Sequence, residues 1–366
     1  MDDVSWQKGT LMTQRTGCAP LKTGARRLSV RFLSVLMLVT VACAGCSSEP
    51  GPASQSAAQV KKPTVFVVNY PLAYFAERTG GESVDVVFPV PDEFDPAHWD
   101  PDGKAIAAFQ SADLILLNGA DYAKWTLRAS LPWSRTVVTT RDVEDKYIQV
   151  PDAVTHSHGP EGEHAHAALA SETWLDSKLA ISQARVVKEE LERLVPDSAD
   201  AIKANFDSLV ADLQSLDEEF TSTFAQSSGL WTASHPAFSY IGRRYSLELE
   251  IVHWAPNEFP AENQWHGLEE LVAERPTSWM LWEDDPIQET VDRLRTMGVC
   301  IVVFRNGGKK PDQGDYLTVM RKNLERLQAA LSTPPQPQCS DRWQCPRNTE
   351  LRYNTTVHEG VTIACL

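Results

Sequence analysis

The sequence predicts an α/β protein in which parallel sheets are covered by helices. Two observations carry this: short β-branched runs alternate with helical segments in two separate stretches, and one long amphipathic segment lies between them. A third narrows the class. Between Cys46 and Cys339 there is a single cysteine, Cys300, so a hydrophobic core rather than a disulfide framework must hold the body. Roughly 270 residues of patterned chain suit two lobes of ordinary size or one large domain.

Residues 64–69, rich in valine, predict a strand, and 71–79 a helix that stops at Gly80 and Gly81. Strands follow at 83–88, 113–118 (ended by Gly119) and 137–140, with a helix at 101–110. Residues 173–194 are helical by pattern, and Pro196 breaks them. From 198 to 224, Ile202, Phe206, Leu209, Val210, Leu213, Leu216 and Phe220 recur at steps of three and four, the stripe of a long helix. That length is unusual within one compact domain and fits a rigid connector between lobes. The alternation then resumes: strand 230–234, helix 237–243, strand 247–253, helix 264–274, strand 278–282, helix 287–297, strand 300–304 and a closing helix 316–331. Cys300 reads as a small buried hydrophobe.

Arg26, Arg27 and Arg31 precede an apolar run, 32–43, that is too short to span a bilayer comfortably and is built like the core of a secretory signal. It ends in Cys43-Ala44-Gly45-Cys46 before a small, polar stretch. This resembles the lipobox of bacterial lipoproteins, with Cys46 as the acylated first residue and Cys43 where leucine is usual. A plain signal peptide and a short membrane anchor are the alternatives. Residues 1–45 are expected to be a lipoprotein signal peptide and 46–62 a flexible tether, holding the protein outside the cytoplasm by lipid on a bacterial membrane, in the periplasm or at the cell surface. The tail, 333–366, is rich in proline and glutamine, carries Cys339, Cys345 and Cys365 without helical period, and is expected to be of low order. A net charge of −15 argues against nucleic acid or an anionic membrane surface as partner and mildly favours cations.

Metal is the chemical theme. His156, His158, His164 and His166 put four of the nine histidines into one short segment. Gly159, Pro160 and Gly162 make that segment, 155–167, a polar loop. A solvated loop with incidental histidines is the bland alternative. His235 ends one predicted strand and Glu283 another, and in open α/β sheets ligands collect at the carboxyl ends of strands. One imidazole and one carboxylate are half of a tetrahedral zinc site. Asp284 and Asp285 are expected to cap the helix at Pro286. His253 and His266, each beside a tryptophan, read as packed or surface histidines. Asp121, Tyr122 and Trp125 are expected along the same cleft, and Asn306-Gly307-Gly308 reads as a turn without the features of a phosphate loop.

Ser234-His235-Pro236-Ala237-Phe238-Ser239-Tyr240, the Trp174-Leu175-Asp176 segment after the histidine-rich loop, and Asp113-Leu114-Ile115-Leu116-Leu117-Asn118-Gly119 resemble the zinc/manganese-binding receptor lipoproteins of ABC importers. The resemblance covers residues 62–331. It implies two α/β lobes, 63–197 and 227–332, each with a parallel sheet flanked by helices, joined by one long rigid connecting helix, 198–226, with metal in the cleft between them. It implies a monomeric substrate-binding protein that captures zinc, or alternatively manganese or iron, and delivers it to permease and ATPase subunits.

The family's site takes three histidines and one carboxylate, and this chain departs from it twice. In Asp95-Pro96-Ala97-His98-Trp99, Ala97 holds the slot of the first histidine and His98 adjoins it; in Ser171-Glu172-Thr173-Trp174, Glu172 replaces the second. The implied set is His98, Glu172, His235 and Glu283. His98 either reaches the metal by a small shift or faces elsewhere, and the loop histidines form an auxiliary set that could replace a missing ligand. Two carboxylates and two imidazoles are a harder set than usual, which favours manganese or ferrous iron, while the Irving–Williams order favours zinc. No enzymatic activity is expected, because no HExxH, GxSxG or comparable motif occurs. The alternatives are an adhesin-like surface lipoprotein with incidental metal, and a zinc-dependent hydrolase using Glu172 or Asp284 as base.

Overall fold

The computed structural model describes residues 61–150 and 168–332. Cys46 and the signal segment, the loop bearing His156, His158, His164 and His166, and the cysteine-containing tail lie outside the described residues.

The first parallel sheet contains β1 (Thr64–Val67), β2 (Asp85–Val87), β3 (Leu114–Leu117) and β4 (Thr136–Val138), in the order β2-β1-β3-β4. A short antiparallel ladder of β5 (Gln149–Val150) and β6 (Ala168–Leu169) follows in the chain. The second parallel sheet contains β7 (Leu230–Ala233), β8 (Leu249–Ile251), β9 (Thr277–Trp282) and β10 (Cys300–Val303), in the order β8-β7-β9-β10. Both sheets therefore follow one winding scheme, with the strand order reversing between β1 and β3 and between β7 and β9. Chains leaving such neighbours run to opposite sides, which opens a crevice at the strands' carboxyl ends.

The helices are α1 (Tyr70–Gly80), α2 (Gly103–Ser111), α3 (Ser177–Leu194), α4 (Ala199–Phe224), α5 (Ser239–Tyr245), α6 (Glu262–Glu274), α7 (Gln288–Thr296) and α8 (Tyr316–Ser332). The expected helix 173–194 begins as a 3-10 turn, Thr173–Leu175. The break comes at Asp176, whose side chain accepts a hydrogen bond from the Lys178 amide at 3.0 Å and caps α3. Asp284 and Asp285 do not cap α7, which starts after Ile287 without a side-chain cap. They pair instead with Arg305, at 2.7 and 2.8 Å.

At 26 residues, α4 is about 39 Å long. Its stripe of Ile202, Leu209, Leu213, Leu216, Phe220 and Phe224 is buried, with Phe206 partly buried against the same core. It packs on α1 and α3 of the first lobe and on α5 and α8 of the second. Side chains from both lobes consequently share one continuous core. The strand β9 shows how both faces of a parallel sheet are covered. Trp279 and Leu281 join the core that includes α4, whereas Met280 and Trp282 point into a second cluster with Trp254 and Trp265. Cys300 in β10 is buried, as its reading as a small hydrophobe expects, but it is disulfide-bonded rather than a lone thiol. Among the described residues no helix is long and apolar enough to cross a membrane.

The lobes also touch directly. The Tyr240 hydroxyl donates to the Ala170 carbonyl at 2.9 Å, Ser177 Oγ and Tyr245 Oη lie 2.9 Å apart, and the Tyr316 hydroxyl donates to the Trp174 carbonyl at 3.2 Å. Truncating Leu213, 1% exposed at the centre of the α4 stripe, to alanine should cost about 2–5 kcal/mol. Val210→Ala, on the half-buried flank, should cost clearly less in the same urea titration. Equal losses would mean that the stripe is not what holds α4.

Candidate metal centre

The reversal point of the first sheet is occupied by two buried asparagines. Asn69 follows β1 and caps α1 by accepting from the Leu72 amide at 3.0 Å, and its amide donates to Asn118 Oδ1 at 3.2 Å. Asn118 follows β3 and is fully buried. Its Oδ1 also accepts from Gln183 at 3.0 Å, and its amide donates to the Ser171 carbonyl at 2.9 Å. Buried amides need such partners, so this network pins the segment that carries Glu172. Glu172 is 4% exposed, and its Oε2 accepts from the Ser171 amide at 3.2 Å.

The reversal point of the second sheet presents His235 beyond β7 and Glu283 at the end of the neighbouring strand β9. His235 Nδ1 accepts from the Ala237 amide at 3.3 Å, which orients the ring. The same nitrogen lies 3.7 Å from Glu283 Oε2, beyond hydrogen-bond length. Glu283 Oε1 accepts from the side-chain amide of Asn306. Burial pushes the Glu283 carboxyl up to about 7; the charge of His235 works against this, while Glu172 and Asp95 raise it further. Burial, reinforced by Asp95, Glu172 and Glu283, also holds the Tyr122 phenol well above its ordinary value. Three carboxylates and one imidazole therefore share a single electrostatic neighbourhood.

The sequence-predicted set is only partly assembled. His235 and Glu283 are adjacent, and Glu172 stands close enough for its charge to act on Glu283. His98 is exposed and lines the same cavity of about 970 Å³ as Asp95, His235 and Glu283. Among the described residues no three histidine, cysteine or acidic side chains are already arranged around one point at ligating distance. Asp95, treated in the sequence only as a marker for its neighbours, belongs to the neighbourhood. Its Oδ1 accepts from the Ala97 amide at 3.0 Å, and its carbonyl accepts from the His98 and Trp99 amides at 3.0 and 2.8 Å.

Asn306 was also missed as a functional position. The turn it opens ties the lobes together behind the site: the Trp174 indole donates to the Asn306 carbonyl at 2.7 Å, and the Tyr70 amide donates to the Gly308 carbonyl at 3.0 Å. Gly307 has φ of 73°, left-handed backbone that a side chain would strain, so the turn favours glycine there. The Asn-Gly-Gly run directly after a strand was the available signal. Of the other residues expected along the cleft, Tyr122 is buried against Trp174 and does not line the cavity, and Trp125 packs into the first lobe against Phe109 and Trp99. His253 lies past the end of β8 in left-handed backbone (φ 54°) and lines the cavity. His266 is on the surface of α6 beside Glu269 and Glu270.

A family described as zinc-uptake complex component A, periplasmic, matches residues 65–330. The zinc-binding lipoprotein AdcA of Streptococcus pneumoniae is 22% identical over 314 residues, 82% of this chain and 60% of that protein, so the chain spans less than two thirds of this relative. The manganese-binding lipoprotein MntA of Halalkalibacterium halodurans is 26% identical over 222 residues, 60% of this chain and 69% of the relative. Among solved structures, the metal-dependent lipoprotein YcdH of Bacillus subtilis is similar with a TM-score of 0.63 at 21% identity, covering 75% of this chain and 100% of that one.

The raised Glu283 value has a sign that can be checked on metal-free protein. Folding favours its protonated form, so the associated stability is complete below about 4.5, the unfolded value, and is lost as pH rises through about 7. The loss is on the order of 3 kcal/mol. Glu283→Gln should abolish this dependence and be the more stable variant above pH 7 in thermal unfolding. A parallel pH profile for both proteins would contradict the burial argument.

Proposed function

The chain belongs to the periplasmic zinc-uptake complex component A family, and from that premise we propose that it is an extracytoplasmic metal receptor. It captures one divalent transition metal between its lobes and hands it to the permease and ATPase subunits of an ABC importer. The observation that carries this reading is the pairing of His235 with Glu283, a carboxylate withdrawn from water under the fields of Glu172 and Asp95. Negative charge concentrated in a low-dielectric crevice is stabilised by a cation and by little else.

His235, Glu283 and Glu172 are the primary donors in this reading. The fourth comes from the turn at residues 95–98, through Asp95 or His98. Zinc is the first expectation, because the Irving–Williams order favours it and the AdcA relative is named for zinc. A set dominated by carboxylate oxygen also suits manganese or ferrous iron, and the MntA relative is named for manganese. The loop histidines His156, His158, His164 and His166 act as an auxiliary collector, and Cys46 carries the lipid that holds the receptor to a bacterial membrane as a monomer. The function is binding and release without covalent chemistry. The hydrolase alternative loses one of its two nominated bases, since Asp284 is engaged by Arg305.

Calorimetric titration of zinc and manganese into tag-free protein tests the reading. Loss of a group that only supports a ligand typically costs about 10–100-fold, so Glu283→Ala and His235→Ala should each weaken the tight site by at least that much. Parent-like affinity in either variant would remove the assignment. Comparing Asp95→Ala with His98→Ala decides the fourth donor, and deletion of residues 155–167 should lower the stoichiometry while sparing the tight site. Affinity should fall as pH drops through about 7, because the cation must then displace the Glu283 proton.

A further inference from the structure

The cavity beside His235 and Glu283 is far larger than a metal ion needs. At about 970 Å³ it falls in the range of small-molecule sites, roughly 300–1,000 Å³, whereas one water occupies about 30 Å³ in the liquid. Its lining carries both signs: Asp95, Glu283 and His235 contribute to it, and so do Arg305 and, from α8, Lys322 and Arg326.

Arg326 is the unusual member. It is 8% exposed and forms no ion pair with any described residue. Its Nη1 donates to Asn323 Oδ1 at 3.2 Å, and its Nε is buried without a hydrogen-bond partner. Arg305, by contrast, is neutralised by Asp284 and Asp285. Burial and the nearby charge of Arg305 disfavour the charged form of Arg326, and the more weakly felt charges of Asp285 and Glu325 offset this only in part. A guanidinium keeps its proton nonetheless, so an unpaired one facing a cavity is a standing site for an oxyanion. A bare divalent cation gains nothing from this wall. A metal complex bearing carboxylates satisfies both signs at once.

We propose that the α8 wall of the cleft is an oxyanion subsite, in which Arg326 and Lys322 hold the carboxylates of a small chelator that enters together with the metal. The chelator half rests on the reading of His235 and Glu283 as cation donors; the anion half stands on Arg326. Citrate is the probe, titrated by calorimetry into full-length protein with and without one equivalent of zinc. Zinc-loaded protein should bind citrate at one site, more tightly than metal-free protein. Arg326→Gln and Lys322→Ala should each lower citrate affinity roughly tenfold or more and leave zinc affinity, measured without citrate, unchanged. Parent-like citrate binding in both variants overturns the proposal, as does citrate that merely strips zinc from the protein. Lys322 is exposed, so its variant carries the test should the Arg326 variant fold poorly. If zinc alone does not bind the parent, the cation reading falls by itself. Arg326-dependent binding of citrate to metal-free protein then upholds the subsite, and its absence removes it.

Discussion

Carboxylate withheld from water is the constraint around which the rest of this molecule is arranged. Glu283 is largely buried: burial opposes its charge, and Glu172 and Asp95 oppose it again. Among the described residues, His235 and the Asn306 amide act in its favour within hydrogen-bonding or ion-pairing range. Such a group is tolerated in a fold when a bound cation supplies the missing counter-charge. The surrounding structure exists to keep these side chains facing one another despite that cost.

The means is a winding scheme used twice. In each sheet the strand order reverses beside the first strand, and the residues just past the carboxyl ends gather at that reversal. The two reversal points carry different chemistry. The first holds Asn69 and Asn118, which make a buried hydrogen-bonded platform and deliver Glu172 indirectly. The second holds His235 and Glu283 directly. The buried amide platform and the proposed donors His235 and Glu283 thus sit in different lobes, and the Asn306 turn joins them by serving Glu283 through its side chain and Trp174 through its carbonyl.

That turn also bears on movement between the lobes. Separating them costs the Trp174–Asn306 and Tyr70–Gly308 hydrogen bonds, the Tyr240 and Tyr316 contacts and part of a core shared along α4. A wide hinge opening is therefore expensive. Local rearrangement of the turn at 95–98, where Asp95 and His98 are exposed and short-range backbone bonds hold the chain, costs far less. In the proposed receptor, release of the metal is served at lower cost by that turn than by parting the lobes.

The order of strands and helices, the long stripe of α4 and the residues His235 and Glu283 were all readable from the sequence, because each leaves a local record. Periodicity of two or of three to four marks an element, and a polar residue straight after an apolar run marks a strand's carboxyl end. Asp95, Asn306 and Arg326 left no such record. An aspartate before proline, an asparagine before two glycines and an arginine on a helix are each ordinary in the chain. Asp284 and Asp285 misled for the same reason, since an acid before a helix resembles a cap until a distant Arg305 claims it. Whether a charge is buried, and beside which other charge, depends on pieces of chain more than a hundred residues apart meeting across the crevice. Only the tertiary structure decides that, because field and desolvation follow distance in space rather than position along the backbone.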